Sequence, residues 1–121
     1  MKFSGICLIT EDVSALAGFY ERIFNCQAEG DQAHAEIKIG GVEITIFSKA
    51  GMERLAPGSM EHAGYGSFTM GFAVDDVDAE YKRLSALGVE IVKNPTTHPW
   101  GCRSLWFRDP DGNLIDFICR A

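Results

Sequence analysis

The sequence contains no apolar run approaching the ~20 residues that a membrane-spanning helix needs, and a membrane partner is not expected. Basic residues are also in short supply: 11 Lys and Arg stand against 17 Asp and Glu, a net charge of −6. That balance repels nucleic acid and anionic lipid, and it favours a neutral or cationic small ligand. The opening MKFSGICLITEDVSAL has one lysine and no hydrophobic core of signal-peptide length. Ser4-Gly5-Ile6-Cys7 is similar to a lipidation box but lacks the hydrophobic segment before it, so a cytoplasmic address is expected. Paired cysteines of the zinc-ribbon kind are missing. Cys7, Cys26, Cys102 and Cys119 are far apart in or beside apolar runs, which predicts buried free thiols in a reducing compartment. There is no Gly-x-Ser-x-Gly elbow, no Cys-His signature, no glycine-rich phosphate loop and no low-complexity segment.

What is present is one domain's worth of ordinary globular sequence, 121 residues with 46% hydrophobic and 23% charged, carrying an internal repeat. Gly5-Ile6-Cys7-Leu8-Ile9-Thr10 is an apolar strand leading to Asp12-Val13 and then to Leu16, Phe19, Tyr20 and Ile23 at helical spacing. Thr69-Met70-Gly71-Phe72-Ala73-Val74 leads in the same way to Asp76-Val77, Tyr81, Leu84 and Leu87. Asp12 and Asp76 are suited to cap the helix starts; Asn25 and Gly88 are suited to the left-handed residue after each helix. Two hairpins follow: Ala33 to Ile39 with Val42 to Ser48 around Gly40-Gly41, and Cys102 to Arg108 with Asn113 to Cys119 around Asp109-Pro110-Asp111-Gly112. Short strands near Gln27 to Glu29 and Val89 to Val92 complete two β-α-β-β-β modules, over about residues 1–49 and 67–121, joined by a connecting loop at about 50–66. The expected fold class is α+β, with pseudo-twofold symmetry and two curved sheets forming a cleft.

The module order, the Asp-Val-x-x-x-x-x-Phe-Tyr-Glu start of the first helix and the Asp-Pro-Asp-Gly-Asn-Leu-Ile-Asp ending (109–116) resemble the vicinal oxygen chelate superfamily. That group includes glyoxalases, extradiol dioxygenases, fosfomycin-modifying enzymes and bleomycin-resistance proteins. The resemblance covers nearly the whole chain and implies the glyoxalase/bleomycin-resistance fold; a fold of this kind hosts several chemistries as well as pure binders. In the metal-dependent members, ligands come from an early residue of the first strand and a residue of the last strand of each module. Carried over, these positions are Gly5, Thr69, Thr45 and Asp116. One carboxylate, two hydroxyls and a glycine make a poor divalent site, and His34, His62 and His98 lie elsewhere, so no metal and no cofactor is expected.

Strand alternation puts Asp116 on one face with Leu114 and Ile118, and Ile115, Phe117 and Cys119 on the other. A four-residue loop at 109–112 then sets Leu105 opposite Asp116 and brings Arg103 diagonally within reach of it. That arrangement has two readings, an ion pair without chemistry or a pair that recognises a ligand. Trp106 falls with Ser104, Ile115 and Phe117 on the expected helix side. Trp100, between Pro99 and Gly101, sits in a loop where its indole needs cover from the domain or from a ligand. The resemblance implies the second, since loop aromatics of drug-binding members stack on planar rings. Phe47 and Thr45 share the cleft face of the matching strand in the first module. The ligand-binding set is therefore Trp100, Arg103, Asp116, Phe47, Thr45 and Thr69. The expected function is metal-independent binding of a small planar neutral or cationic ligand, antibiotic sequestration included, by a homodimer. The alternatives are a lyase, isomerase or dioxygenase of the same superfamily, with Asp116 as base or with a metal held unusually, and an accessory domain with no small ligand.

Overall fold

The computed structural model describes residues 1, 3–64 and 68–121. In chain order the elements are β1 (Ile6–Thr10), α1 (Val13–Phe24), β2 (Glu29–Gly30), β3 (His34–Ile39), β4 (Val42–Ser48), α2 (Lys49–Leu55), β5 (Thr69–Ala73), α3 (Val77–Ala86), β6 (Ile91–Thr97), β7 (Cys102–Arg108) and β8 (Leu114–Arg120). The chain divides into two compact units, Met1–Ala63 and Gly64–Ala121. Residues 65 and 66 of the expected connecting loop, and 67 at the start of the second module, lie outside the described residues.

Each unit is an α+β module built on the same local signals. Asp12 accepts the backbone N–H of Ala15 at 3.0 Å to start α1, and Asp76 accepts that of Ala79 at 3.1 Å to start α3, satisfying donors that a helix leaves free at its first turn. Asn25 (φ 53°) ends α1 in the left-handed region, and Gly88 (φ 75°) follows the end of α3 in the same conformation. The first unit carries a four-stranded mixed sheet in the order β1-β4-β3-β2, and the second carries β5-β8-β7-β6. In each, the opening strand runs parallel to the last strand and the remaining neighbours are antiparallel. The repeat extends to register, with Cys7 beside Thr45 and Gly71 beside Asp116.

Period-two alternation decides which face of each sheet is covered. In the first unit Leu8, Ala35, Ile37, Ile44 and Ile46 are buried with Val13, Leu16, Phe19, Tyr20 and Ile23 of α1. In the second, Met70, Leu105, Phe107, Ile115 and Phe117 are buried with Val77 and Leu84 of α3. Each such large side chain contributes roughly 1.5–3 kcal/mol by leaving water.

Four expectations need correction. The connecting segment is not all loop, because α2 occupies Lys49–Leu55; Ser48 Oγ accepts the N–H of Gly51 at 3.0 Å and caps it. The strand expected near Val89 to Val92 is β6, which runs on to Thr97 through Pro95. It is an edge strand with register shifts at Lys93 and Thr96, where a residue lacking an N–H is tolerated. Leu87 is not core: it closes α3 and is 44% exposed. Finally, the four thiols are free but not buried, Cys7 being exposed and the others part-buried. Cys7 alternates with Leu8, whose side chain takes the helix side of β1.

Candidate functional site

The face of the second sheet turned away from α3 collects the residues with chemical potential. Along β8, Asp116 lies between Leu114 and Ile118 on this face. Its antiparallel neighbour is Trp106 and its parallel neighbour is Gly71. Trp106 and Asp116 are directly opposed, which places both side chains on one face about 5 Å apart at Cβ. Leu105 instead opposes Phe117, and Arg108 opposes Leu114.

The expected pairing was therefore one residue out, and the cause lies in the turn. Asn113 belongs to it and not to the strand. Its N–H and side-chain amide both donate to the Asp109 carboxylate, at 2.9 and 2.8 Å, and its carbonyl accepts the N–H of Asp109 at 3.1 Å. Asp109 and Asn113 are both buried, so the loop is a five-residue hydrogen-bonded unit and the ladder begins at Arg108 and Leu114. A slip of one residue exchanges the faces of a strand. Trp106 consequently joins Asp116, and Arg103, opposite Cys119, goes to the helix side.

Arg103 makes no pair with Asp116. Its guanidinium grips Asp78 in the first turn of α3 with two bonds of 2.8 and 2.9 Å, and it donates to Thr97 Oγ1 at 3.0 Å. That hydrogen bonding holds the Asp78 carboxyl below its usual range. Asp116 is left half-buried, and among the described residues no side chain forms an ion pair with it or donates to it. Burial pushes its carboxyl up from the ordinary aspartate value. The carboxylate leans over Gly71: a Cβ at that position would stand 2.9 Å from Oδ1 and 3.6 Å from Cγ.

The turn between β6 and β7 borders this face. His98 Nε2 lies 2.8 Å from Ser104 Oγ, and Ser104 is buried on the same side of β7 as Trp106. Trp100 stacks on the His98 ring with centroids 4.5 Å apart and planes 5° apart, while remaining 74% exposed. The indole is thus covered on one side by an imidazole and is not part of the core.

On the corresponding face of the first sheet, Thr45 is part-buried and donates to the Ile6 carbonyl at 3.4 Å, with Cys7 and Glu36 as its neighbours in register. Phe47 meets His34 edge-on at 5.8 Å and lies beneath Gly51 of α2, where a Cβ would come within 2.6 Å of its ring. Part of the ring is therefore already occupied by the chain itself.

The positions that the resemblance assigns to metal ligands hold Gly5 and Thr45 in the first unit and Thr69 and Asp116 in the second. Thr45 already donates to backbone, and among the described residues no three His, Cys, Asp or Glu side chains are grouped to hold a metal ion. This donor set does not fit a transition-metal centre. Three residues of these faces escaped sequence reasoning. Trp106 is hidden by the turn register, Gly71 by a parallel pairing of β5 with β8 that no local signal sets, and Glu36 by its place in a strand read only as half of a hairpin.

Two βαβββ modules with matched register, each with one face covered by a helix, define the class of protein. Residues 2–117 match the model of the Glyoxalase/Bleomycin resistance protein/Dioxygenase superfamily, and the chain belongs to that family. It is 29% identical over 123 residues to "Uncharacterized protein YraH" of Bacillus subtilis (strain 168), covering 96% of both chains. Among solved structures it is similar to an integron cassette protein from V. cholerae, with 27% identity, 98% of this chain and 96% of that chain covered, and a TM-score of 0.74. It is also similar in fold to the fosfomycin resistance protein FosX from Listeria monocytogenes, at 24% identity, with 100% and 94% coverage and a TM-score of 0.76.

Proposed function

We propose that this protein is a metal-independent small-molecule binder of the superfamily, taking a planar neutral or cationic ligand. The observation that carries this reading is the donor set: of the four ligand positions only Asp116 bears a strongly coordinating group, whereas aromatic surface is offered beside it by Trp106 and at the loop by Trp100. Binding requires a complementary surface and no activated water or Lewis acid, so replacement of metal ligands by glycine and threonine costs a binder nothing. Asp116, Trp100 and Thr69 in the second unit, and Thr45 and Phe47 in the first, are the proposed ligand-facing residues. Antibiotics are the first ligands to screen, because FosX is a fosfomycin resistance protein and the family's description includes bleomycin resistance. We further propose a homodimer in the cytoplasm; β1 and β5 are edge strands of their sheets, and edges of this kind invite pairing or cover.

The test is native mass spectrometry with elemental analysis of freshly purified protein, followed by a thermal-shift screen of planar antibiotics. Stoichiometric zinc, iron, manganese or nickel would overturn metal independence, and a monomeric mass at micromolar concentration would overturn the dimer. One observation favours a second reading, an enzyme with Asp116 as base. A half-buried carboxyl that burial pushes above the ordinary aspartate value, with no cation partner among the described residues, is the kind of group that serves as a general base. Turnover of a carbonyl or epoxide substrate that Asp116→Asn abolishes would establish it.

A further inference from the structure

We infer that Asp116 and Trp106 together form a recognition point for an organic ammonium group. The inference rests on the reading of the protein as a small-molecule binder and names the chemistry that this face of it selects.

Three features converge. First, Asp116 and Trp106 are direct cross-strand neighbours on the face turned away from α3, so a cation seated against the indole lies within reach of the carboxylate. An aromatic face and an anion side by side stabilise the same charge by two independent means. Second, the other flank of Asp116 is Gly71, whose missing Cβ leaves the carboxylate room to lean over β5. With Thr69 and Ala73 as the next residues of that face, the strand offers no bulky side chain to cap the acid.

Third, among the described residues no side chain neutralises Asp116. The cations described near it are engaged or misplaced. Arg103 is on the opposite face with Asp78. Arg108 is on the right face but donates to the Gly112 carbonyl at 2.8 Å, which draws it to the turn. Lys93 lies beyond Trp106 on the exposed edge strand β6 and forms no ion pair with Asp116. A half-buried carboxylate left without a partner costs stability, and a ligand cation restores what the fold has left out. A divalent metal does not meet the same need, because it requires several oxygen ligands where this face supplies one carboxylate and a threonine.

The test uses the full chain and three small aromatic probes that differ in charge: benzylammonium, benzyl alcohol and benzoate. Binding is followed by titration of the tryptophan indole N–H signals. The expected order is ammonium above alcohol above benzoate, with a preference for the ammonium of roughly tenfold or more, as a desolvated cation–π contact with a paired carboxylate supplies. Asp116→Asn should abolish that preference, lowering the ammonium's affinity far more than the alcohol's. Trp106→Leu should weaken both probes and the ammonium more, which separates the aromatic contribution from any loss of fold in the first variant. Equal affinity for ammonium and alcohol in the unaltered protein, or an unchanged preference in Asp116→Asn, overturns the inference while leaving the small-molecule reading intact. If neither these probes nor the antibiotic panel binds, the small-molecule reading itself fails and the inference falls with it.

Discussion

The Asp116 carboxylate occupies the space above Gly71, and a Cβ added to that glycine would stand 2.9 Å from Oδ1. Such a contact is too close, but its partner is the end of a side chain and not backbone, so the carboxylate can rotate away. Alanine in place of a mid-strand glycine otherwise favours folding by about 0.5–1 kcal/mol. Gly71→Ala should therefore melt within about 1 kcal/mol of the unaltered protein, in either direction. Its affinity for cationic probes should nevertheless fall. A melting loss of several kcal/mol would show that Gly71 is demanded by the fold and not by the acid.

Asp116 and Asp78 should give the protein opposite pH responses. Burial raises the Asp116 carboxyl above its unfolded value, so the folded chain takes up that proton more readily. Its contribution to stability is full below the unfolded pKa and is lost as pH rises through the folded one. Asp116→Asn should raise the melting temperature at neutral pH, and the gain should vanish below about pH 4, the ordinary aspartate range. Asp78 is lowered by its hydrogen bonds from Arg103, so its contribution is present above the unfolded pKa and is lost as pH falls through the folded value. Melting curves of Asp78→Asn should converge with those of the unaltered chain only in acid. Parallel curves for either variant at all pH values would contradict these assignments.

The Arg103 and Asp78 contact ties β7 to the first turn of α3 through two hydrogen bonds, with the Asp78 side chain 54% exposed. Exposure screens the attraction, and exposed pairs as a class contribute little. A double-mutant cycle over Arg103→Ala and Asp78→Ala should return a small favourable coupling, and the coupling should shrink in high salt. The same cycle over Arg103→Ala and Asp116→Ala should return none, because the two side chains lie on opposite faces of the sheet. Measurable coupling in the second cycle would restore the arrangement expected from sequence.

That contrast shows where sequence reasoning reached its limit. The helix caps Asp12 and Asp76 were readable because a carboxylate before an apolar 3.6-residue stripe has a local cause and a local effect. The first hairpin was readable for the same reason: Gly40 (φ 56°) and Gly41 (φ 79°) fill a two-residue turn that few other residues fit. The second was not, since whether Asn113 ends the turn or begins the strand is decided by buried bonds to Asp109 that no alternation pattern reveals. That single residue reassigned Trp106 and Arg103, and hence the composition of the site. Helix α2 was missed because a Gly- and Met-bearing segment reads as loop. Its glycine is instead the close approach that lets the helix lie on Phe47.

The Trp100 indole is 74% exposed and stacked on His98. Had the ring been core, its removal would cost about 3–5 kcal/mol, the range for deleting a buried aromatic. With one face covered by an imidazole and the rest exposed, Trp100→Ala should cost no more than about 0.5–1.5 kcal/mol, the scale of a single aromatic pair. If the exposed ring is ligand surface, the same substitution should weaken a planar antibiotic from the binding panel by about 1–3 kcal/mol. His98→Ala removes the ring that holds the indole flat and also the bond to Ser104, so it should weaken the same ligand less than Trp100→Ala while lowering the melting temperature more. Calorimetric melting and ligand titration on the two variants check both orders. A loss of stability in Trp100→Ala without any loss of binding would assign the tryptophan to the turn alone.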